Sequence, residues 1–83
     1  MLITSSNGFL SVVNKPNEVD HLIVRAKFKG DLSRLFDDCR IWPTQDPDFP
    51  FAISICKQEF VGILIKMVKS IDYTNFSTDL IAV

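Results

Sequence analysis

The residues able to do acid–base or nucleophilic chemistry are few in this chain. It holds one histidine, His21, and two cysteines, Cys39 and Cys56. Catalysis requires a nucleophile beside a base, a paired acid and base, or a metal held by several ligands. None of these sets occurs at a recognisable spacing. We therefore expect no catalytic, metal-binding or cofactor-binding residues, and a binding module rather than an enzyme.

The three candidate residues have simpler structural interpretations. His21 heads a predicted strand without a partner for proton transfer or metal binding, so it is predicted to be a surface histidine. Cys39 follows two aspartates, whose negative charges oppose formation of a thiolate. The cysteines match no metal or redox spacing. Because free cysteine is among the most buried residue types, both are predicted to be small buried hydrophobic side chains.

Length, composition and charge indicate one small cytoplasmic domain spanning residues 1–83. The chain is 47% hydrophobic, with seven phenylalanines and a net charge of −1. The hydrophobic content is sufficient for one hydrophobic core. A net charge this close to zero gives the protein no overall electrostatic attraction to nucleic acid or anionic membranes. The sequence has no signal-peptide pattern and no 18-residue apolar run. Charge is nevertheless uneven, since residues 31–56 hold five acidic and two basic residues.

The first part of the chain predicts a β-hairpin and a short helix. Gly8–Asn14 and the alternating segment His21–Phe28 are predicted strands, separated by a turn at Lys15–Asn17. Asp31 is the predicted N-cap of the helix that follows. One face of the second strand is predicted to be apolar, and its residues are Leu22, Val24, Ala26 and Phe28. One side of the helix is also predicted to be apolar, and its residues are Leu32, Leu35, Phe36 and Cys39.

The second part predicts a loop, a strand and a longer helix. Ile41–Pro50 is the loop, Phe51–Cys56 the strand and Lys57–Ile71 the helix. Residues 77–83 fit either a short helix or a strand. The main apolar stripe of the longer helix is predicted to be Phe60, Val61, Leu64, Ile65, Val68 and Ile71, with Ile63 and Met67 outside it. So wide an apolar surface is either deeply buried or partly used by a partner, including a second copy of the chain. Tyr73 and Phe76 are predicted to pack against this helix.

This order, β-β-α-β-α with a short C-terminal element, predicts an α+β fold. The helices are expected to cover one face of a small sheet, which gives a two-layer sandwich. In element order this is ferredoxin-like in style.

Several short strings resemble a family of small, functionally uncharacterised bacterial and phage proteins. They are Gly8-Phe9-Leu10-Ser11-Val12-Val13, Lys15-Pro16, Leu22-Ile23-Val24-Arg25-Ala26-Lys27, Gly30-Asp31-Leu32 and Ile71-Asp72-Tyr73-Thr74-Asn75-Phe76. The resemblance supplies no activity, cofactor or site residue. It implies a phage or mobile-element protein, a class that often blocks a host protein.

The loop between the predicted helix and third strand is the best candidate for a partner-binding site. Aromatic anchors and rigid prolines suit protein interfaces, and neighbouring carboxylates suit a basic partner surface. The alternative is that the aromatic rings only close one end of the core. The candidate residues are Trp42, Asp46, Asp48, Phe49, Asp37 and Asp38. The hypothesis is a protein-binding module, in specific form an anti-defence inhibitor that covers a host protein surface.

A small nucleic-acid-binding module is the alternative function. Arg25, Lys27 and Lys29 follow one strand and its exit, where they could contact phosphates while Phe9 or Phe51 stacks on bases. The phase of Phe51 with neighbouring isoleucines favours a core position for that ring. A merely solvated sheet face also explains the cations.

Overall fold

A computed structural model of the chain describes residues 1–6, 8–72 and 74. This part contains five strands, two α-helices and one 3₁₀ turn. In chain order they are β1 (Leu2–Ser5), β2 (Gly8–Asn14), β3 (His21–Ala26), α1 (Lys29–Ser33), the 3₁₀ turn (Asp38–Arg40), β4 (Trp42–Pro43), β5 (Phe51–Cys56) and α2 (Lys57–Lys69). The predictions for Tyr73, Phe76 and residues 77–83 lie outside the described residues.

The strands form one antiparallel sheet in the order β1-β2-β3-β5-β4. The predicted β2–β3 hairpin is confirmed, and β2 and β5 have the predicted bounds. β3 ends at Ala26, so the prediction that it reaches Phe28 is wrong. Phe28 is the N-cap of α1 and its ring is exposed, because the backbone turns into the helix there.

β4 lies within the predicted loop Ile41–Pro50, so that loop begins later than predicted. β1 is also additional to the predicted elements. It pairs with β2 from Leu2–Ser11 to Ser5–Gly8. Gly8 has φ +148°, and a Cβ at this position would lie 2.5 Å from Cγ of Asp31. Glycine is therefore favoured both by its backbone conformation and by the close approach of the Asp31 carboxyl group.

One face of the sheet and both helices enclose the core, as the α+β prediction requires. Alternate residues of β2, β3 and β5 point to this face, because successive strand residues alternate sides. The core consists of Leu10, Val12, Val24, Ala26, Leu32, Phe36, Ile53, Ile55, Phe60 and Ile63. Among the described residues, neither helix has the length and hydrophobicity of a membrane-spanning segment.

α1 differs from its prediction in its start and its apolar stripe. Asp31 lies in the first turn rather than at the N-cap, and its carboxylate accepts a hydrogen bond from Arg34 at 3.0 Å. Leu32 and Phe36 are buried as predicted. Cys39 is exposed, which corrects its assignment to the stripe and to the core, since the chain has left α1 for the 3₁₀ turn.

α2 begins at the predicted residue but ends at Lys69, two residues early. Its buried side is also rotated from the predicted one. Phe60 and Ile63 are buried, and Leu64 and Met67 pack against the core. The prediction is wrong for four stripe residues, which are exposed: Val61, Ile65, Val68 and Ile71. Ile63 and Met67 lie on the side of α2 that packs against the sheet. The orientation of α2 on the sheet decides which of its side chains are buried, and helical periodicity does not specify that orientation.

Candidate partner-binding face

The sheet face opposite the helices, here called the open face, carries a continuous row of five residues across the five strands. In the pairing register, Ser11 lies opposite both Leu2 and Arg25, and Ala52 lies opposite both Arg25 and Trp42. Directly paired residues share one side of a sheet. Arg25 therefore sits at the centre of the row, with the exposed side chains of Leu2 and Trp42 at its two ends.

Residues 44–50, here called the acidic loop, are closed by their own hydrogen bonds. Thr44 N donates to Pro50 O at 2.7 Å, and Thr44 Oγ1 donates to Phe49 O at 2.6 Å. Asp46 Oδ1 accepts a hydrogen bond from the backbone amide of Asp48 at 2.8 Å, the local side-chain turn typical of aspartate. The loop therefore has a defined shape, and the side chain of Asp48 stays exposed.

Arg25 holds the acidic loop against the open face. Its Nη1 lies 3.4 Å from Asp46 Oδ2, and its Nη2 donates to Ser11 Oγ at 2.7 Å. Its guanidinium carbon lies 4.8 Å from the ring centroid of Phe49, a cation–π distance. The Phe49 ring is also stacked on Phe9, with centroids 6.2 Å apart. The Arg25 side chain on β3 thus holds both the Asp46 carboxylate and the Phe49 ring of the acidic loop in place.

The predicted candidate residues therefore fall into two separate places. Asp46, Asp48 and Phe49 belong to the acidic loop. Trp42 lies on β4, at one end of the row of five residues on the open face. Asp37 instead lines a groove beside α2, and Asp38 opens the neighbouring 3₁₀ turn. The sequence placed both acidic pairs on one surface, whereas the sheet edge at β4 separates them.

An ion pair fixes the groove beside α2. Arg40 donates from Nη1 to Glu59 Oε2 at 2.7 Å and from Nη2 to Glu59 Oε1 at 3.0 Å. These hydrogen bonds hold the pKa of Glu59 below its usual value and raise the pKa of Arg40, outweighing the opposing effect of burial. Nη2 also donates to Ser54 O at 3.2 Å, so Arg40 connects α2 to β5.

The three cations of the alternative function do not form one basic row. Arg25 is engaged by Asp46 and Ser11, and Lys27 lies 6.0 Å from the ring centroid of Phe28. Lys29 belongs to α1 rather than to the strand. Phe51 packs against the core, so only Phe9 of the two proposed stacking rings lies on the open face.

In the described part of the chain, two of the few chemistry-bearing residues are cross-strand neighbours, because His21 of β3 lies directly opposite Cys56 of β5. No group of three or more His, Cys, Asp or Glu side chains there has metal-binding geometry. His21 begins β3, as predicted, with Nδ1 3.7 Å from Glu18 Oε2. Cys56 is half-buried, and its Sγ accepts a hydrogen bond from the Glu59 amide at the start of α2.

Sequence reasoning missed the anchoring role of Arg25 and the exposure of Leu2. Alternation placed Arg25 on the face opposite the core, but no local signal connects it to an aspartate 21 residues later. No local signal shows that Leu2 stays exposed. An Asn-Gly dipeptide, Asn7-Gly8, favours a hairpin near β1, although Gly8 itself lies in the ladder opposite Ser5. No family model, curated protein or solved structure matches this chain.

Proposed function

We propose that this protein is a non-enzymatic protein-binding module that contacts its partner through the open face and the acidic loop. The observation that carries the proposal is the combination of exposed apolar side chains and carboxylates on one side of the sheet. The exposed apolar residues there are Leu2, Phe9, Val13 and Trp42. Apolar and aromatic residues on a rigid strand surface lose little side-chain entropy on binding.

Charge selects the kind of partner. Asp46 is partly neutralised by Arg25, whereas Asp48 has no ion pair among the described residues and remains exposed. A surface with lysine or arginine around an apolar centre would complement this arrangement, and such complementarity favours association rate and specificity. In its specific form, the proposal is a phage or mobile-element inhibitor that covers such a surface on a host defence protein in the cytoplasm.

Affinity capture from lysate of the producing organism, with and without nuclease, tests the proposal. Tagged wild-type protein is compared with Val13→Lys and Asp48→Lys, both at exposed positions of the proposed surface. Val19→Lys is the matched control, because Val19 is 85% exposed in the β2–β3 loop. We expect one stoichiometric protein that is captured by the wild type and the control but lost from both surface variants.

Two results would contradict this function. Capture that is equal for all four proteins would mean that the open face is not the contact surface. Capture that disappears with nuclease, together with binding that weakens steeply with salt, would favour the nucleic-acid module built on Arg25, Lys27 and Lys29.

A further inference from the structure

A cavity of about 300 Å³ opens on the helix side of the sheet, between the β1–β2 turn, α1 and the C-terminal end of α2. Its volume is at the lower end of the range for small-molecule pockets, about 300–1,000 Å³. The apolar part of its lining consists of Leu10, Leu35, Met67 and Ile71. Because one water molecule occupies about 30 Å³ of the liquid, the cavity accommodates a ligand of about ten non-hydrogen atoms.

The charged part of the lining has one net positive charge. Asp31 and Arg34 neutralise each other, since Arg34 Nη1 lies 3.0 Å from Asp31 Oδ1 and the Asp31 side chain is only 12% exposed. The absence of a side chain at Gly8 leaves room for this carboxyl group against the β1–β2 turn. Lys66 also lines the cavity, and it forms no ion pair within residues 1–6, 8–72 and 74. Its ammonium is therefore the charge left for a ligand.

We propose that this cavity binds a small organic anion, whose carboxylate lies at Lys66 and whose apolar chain lies against Leu35 and Met67. Lys66 is exposed and lines both this cavity and the groove beside α2, so its ammonium lies at the shared rim. At the rim the carboxylate keeps part of its hydration, which avoids the large cost of burying a charge. Removal of the apolar chain from water supplies the affinity.

The end of α2 does not oppose an anion at this place. The carbonyls of its last turn already accept hydrogen bonds, Lys66 O from Ser70 N and Met67 O from Ser70 Oγ, both at 3.0 Å. Lys66 and Lys69 in the same turn offset the negative end of the helix dipole. An organic cation would instead meet two basic side chains and one carboxylate that Arg34 already binds. The charge arrangement therefore selects a carboxylate over an ammonium.

This site is separate from the proposed partner-binding surface. Leu10, which lines the cavity, points to the core side of β2, whereas its neighbour Ser11 belongs to the row on the open face. A ligand in the cavity therefore leaves the open face and the acidic loop accessible. Binding of the anion and capture of a protein partner can be measured independently.

Titration of the full chain with octanoate, followed by NMR of isotope-labelled methionine methyl groups, tests the proposal. The chain has two methionines, and Met67 lines the cavity whereas Met1 does not. We expect the Met67 methyl signal to shift saturably with a dissociation constant of roughly 0.1–1 mM. The Met1 signal should stay in place, which makes it an internal control.

Two comparisons test the role of charge. Octanol and octylammonium share the chain but lack the carboxylate, and they should bind about three- to tenfold more weakly. Lys66→Gln should weaken octanoate binding by a similar factor. Lys69→Gln is the matched control and should leave it unchanged, because Lys69 lies in the same turn of α2 but outside the lining. Both lysines are exposed, so both variants should fold.

Three results would overturn the proposal. One is a Met67 signal that shows no saturable shift up to about 10 mM octanoate, which would mean that the cavity is closed or already filled in solution. Another is equal affinity for octanoate and octylammonium, which would leave Lys66 without a role in selecting the ligand. The third is equal octanoate affinity of Lys66→Gln and Lys69→Gln. None of these results depends on the partner captured by the open face.

Discussion

The guanidinium of Arg25 lies over the ring of Phe49, with the guanidinium carbon 4.8 Å from the ring centroid. The contact joins the central position of the sheet row to an aromatic ring 24 residues later in the chain, since Phe49 follows Arg25 by that number. Because Asp46 and Ser11 bind the same guanidinium, one side chain sets the position of the acidic loop on the open face. Nε of Arg25 is buried and has no hydrogen-bond partner among the described residues, which is part of the cost of this arrangement.

Replacing Arg25 should release the acidic loop. Arg25→Ala removes the contacts with Asp46 and Phe49 and leaves the buried Ser11 hydroxyl without its donor. We expect a loss of about 1–3 kcal/mol in the free energy of unfolding, since the arginine side chain is only 26% exposed. Amide hydrogen exchange in residues 44–50 should accelerate beyond the global change. Lys27→Ala, at an exposed position two residues along, should change neither quantity, and equal exchange in both variants would contradict the anchoring role.

Two glycines should respond to alanine in opposite directions. Gly62→Ala should raise the free energy of unfolding by about 0.5–1 kcal/mol, because the added Cβ in α2 meets no atom within 4 Å. Gly8→Ala should lower it by about 1–3 kcal/mol, because alanine is strained at φ +148° and its Cβ would collide with Asp31. Urea unfolding of both variants measures the difference. A stable Gly8→Ala protein would mean that the β1–β2 turn tolerates another conformation.

The Arg40–Glu59 pair should make stability depend on pH at the acid end. The pKa of Glu59 is lowered in the folded state, so its stabilising contribution is present above its ordinary pKa of 4.5 and is lost as pH falls through the lower folded pKa. Glu59→Gln should cost about 0.5–1 kcal/mol at pH 7, because both side chains are more than a third exposed. The difference from wild type should vanish at low pH in urea titrations. Asp38→Asn, an exposed control, should show no such convergence.

The two cysteines should differ in reactivity and in stability effect. Cys39 is exposed and should react rapidly with a thiol reagent, whereas half-buried Cys56 should react slowly. Cys56 caps α2 by accepting from the Glu59 amide at 3.4 Å. Cys56→Ser should keep this cap, and Cys56→Ala should cost about 0.5–1 kcal/mol in thermal unfolding. Equal stability of the two Cys56 variants would show that the sulfur contributes nothing as a cap.

Local pattern in the sequence determined the central elements of this protein. The alternation in β2, β3 and β5 and the turn at Lys15–Asn17 depend only on neighbouring residues, and the α+β class with helices on one face followed from them. The first residue of α2, Lys57, was likewise predictable from the residues next to it in the sequence. These features could be predicted because strand and helix periods are properties of the chain itself.

Tertiary structure decided which exposed groups meet. The arc of α2 that is buried depends on its docking angle, so periodicity assigned Val61, Ile65 and Val68 to the wrong side. The partnership of Arg25 with Asp46, and the separation of Asp46 from Asp37, depend on strand order across the sheet. Such contacts join residues that are far apart in sequence. Their free energy depends on distances and orientations that the folded chain sets, and a short stretch of sequence does not specify these.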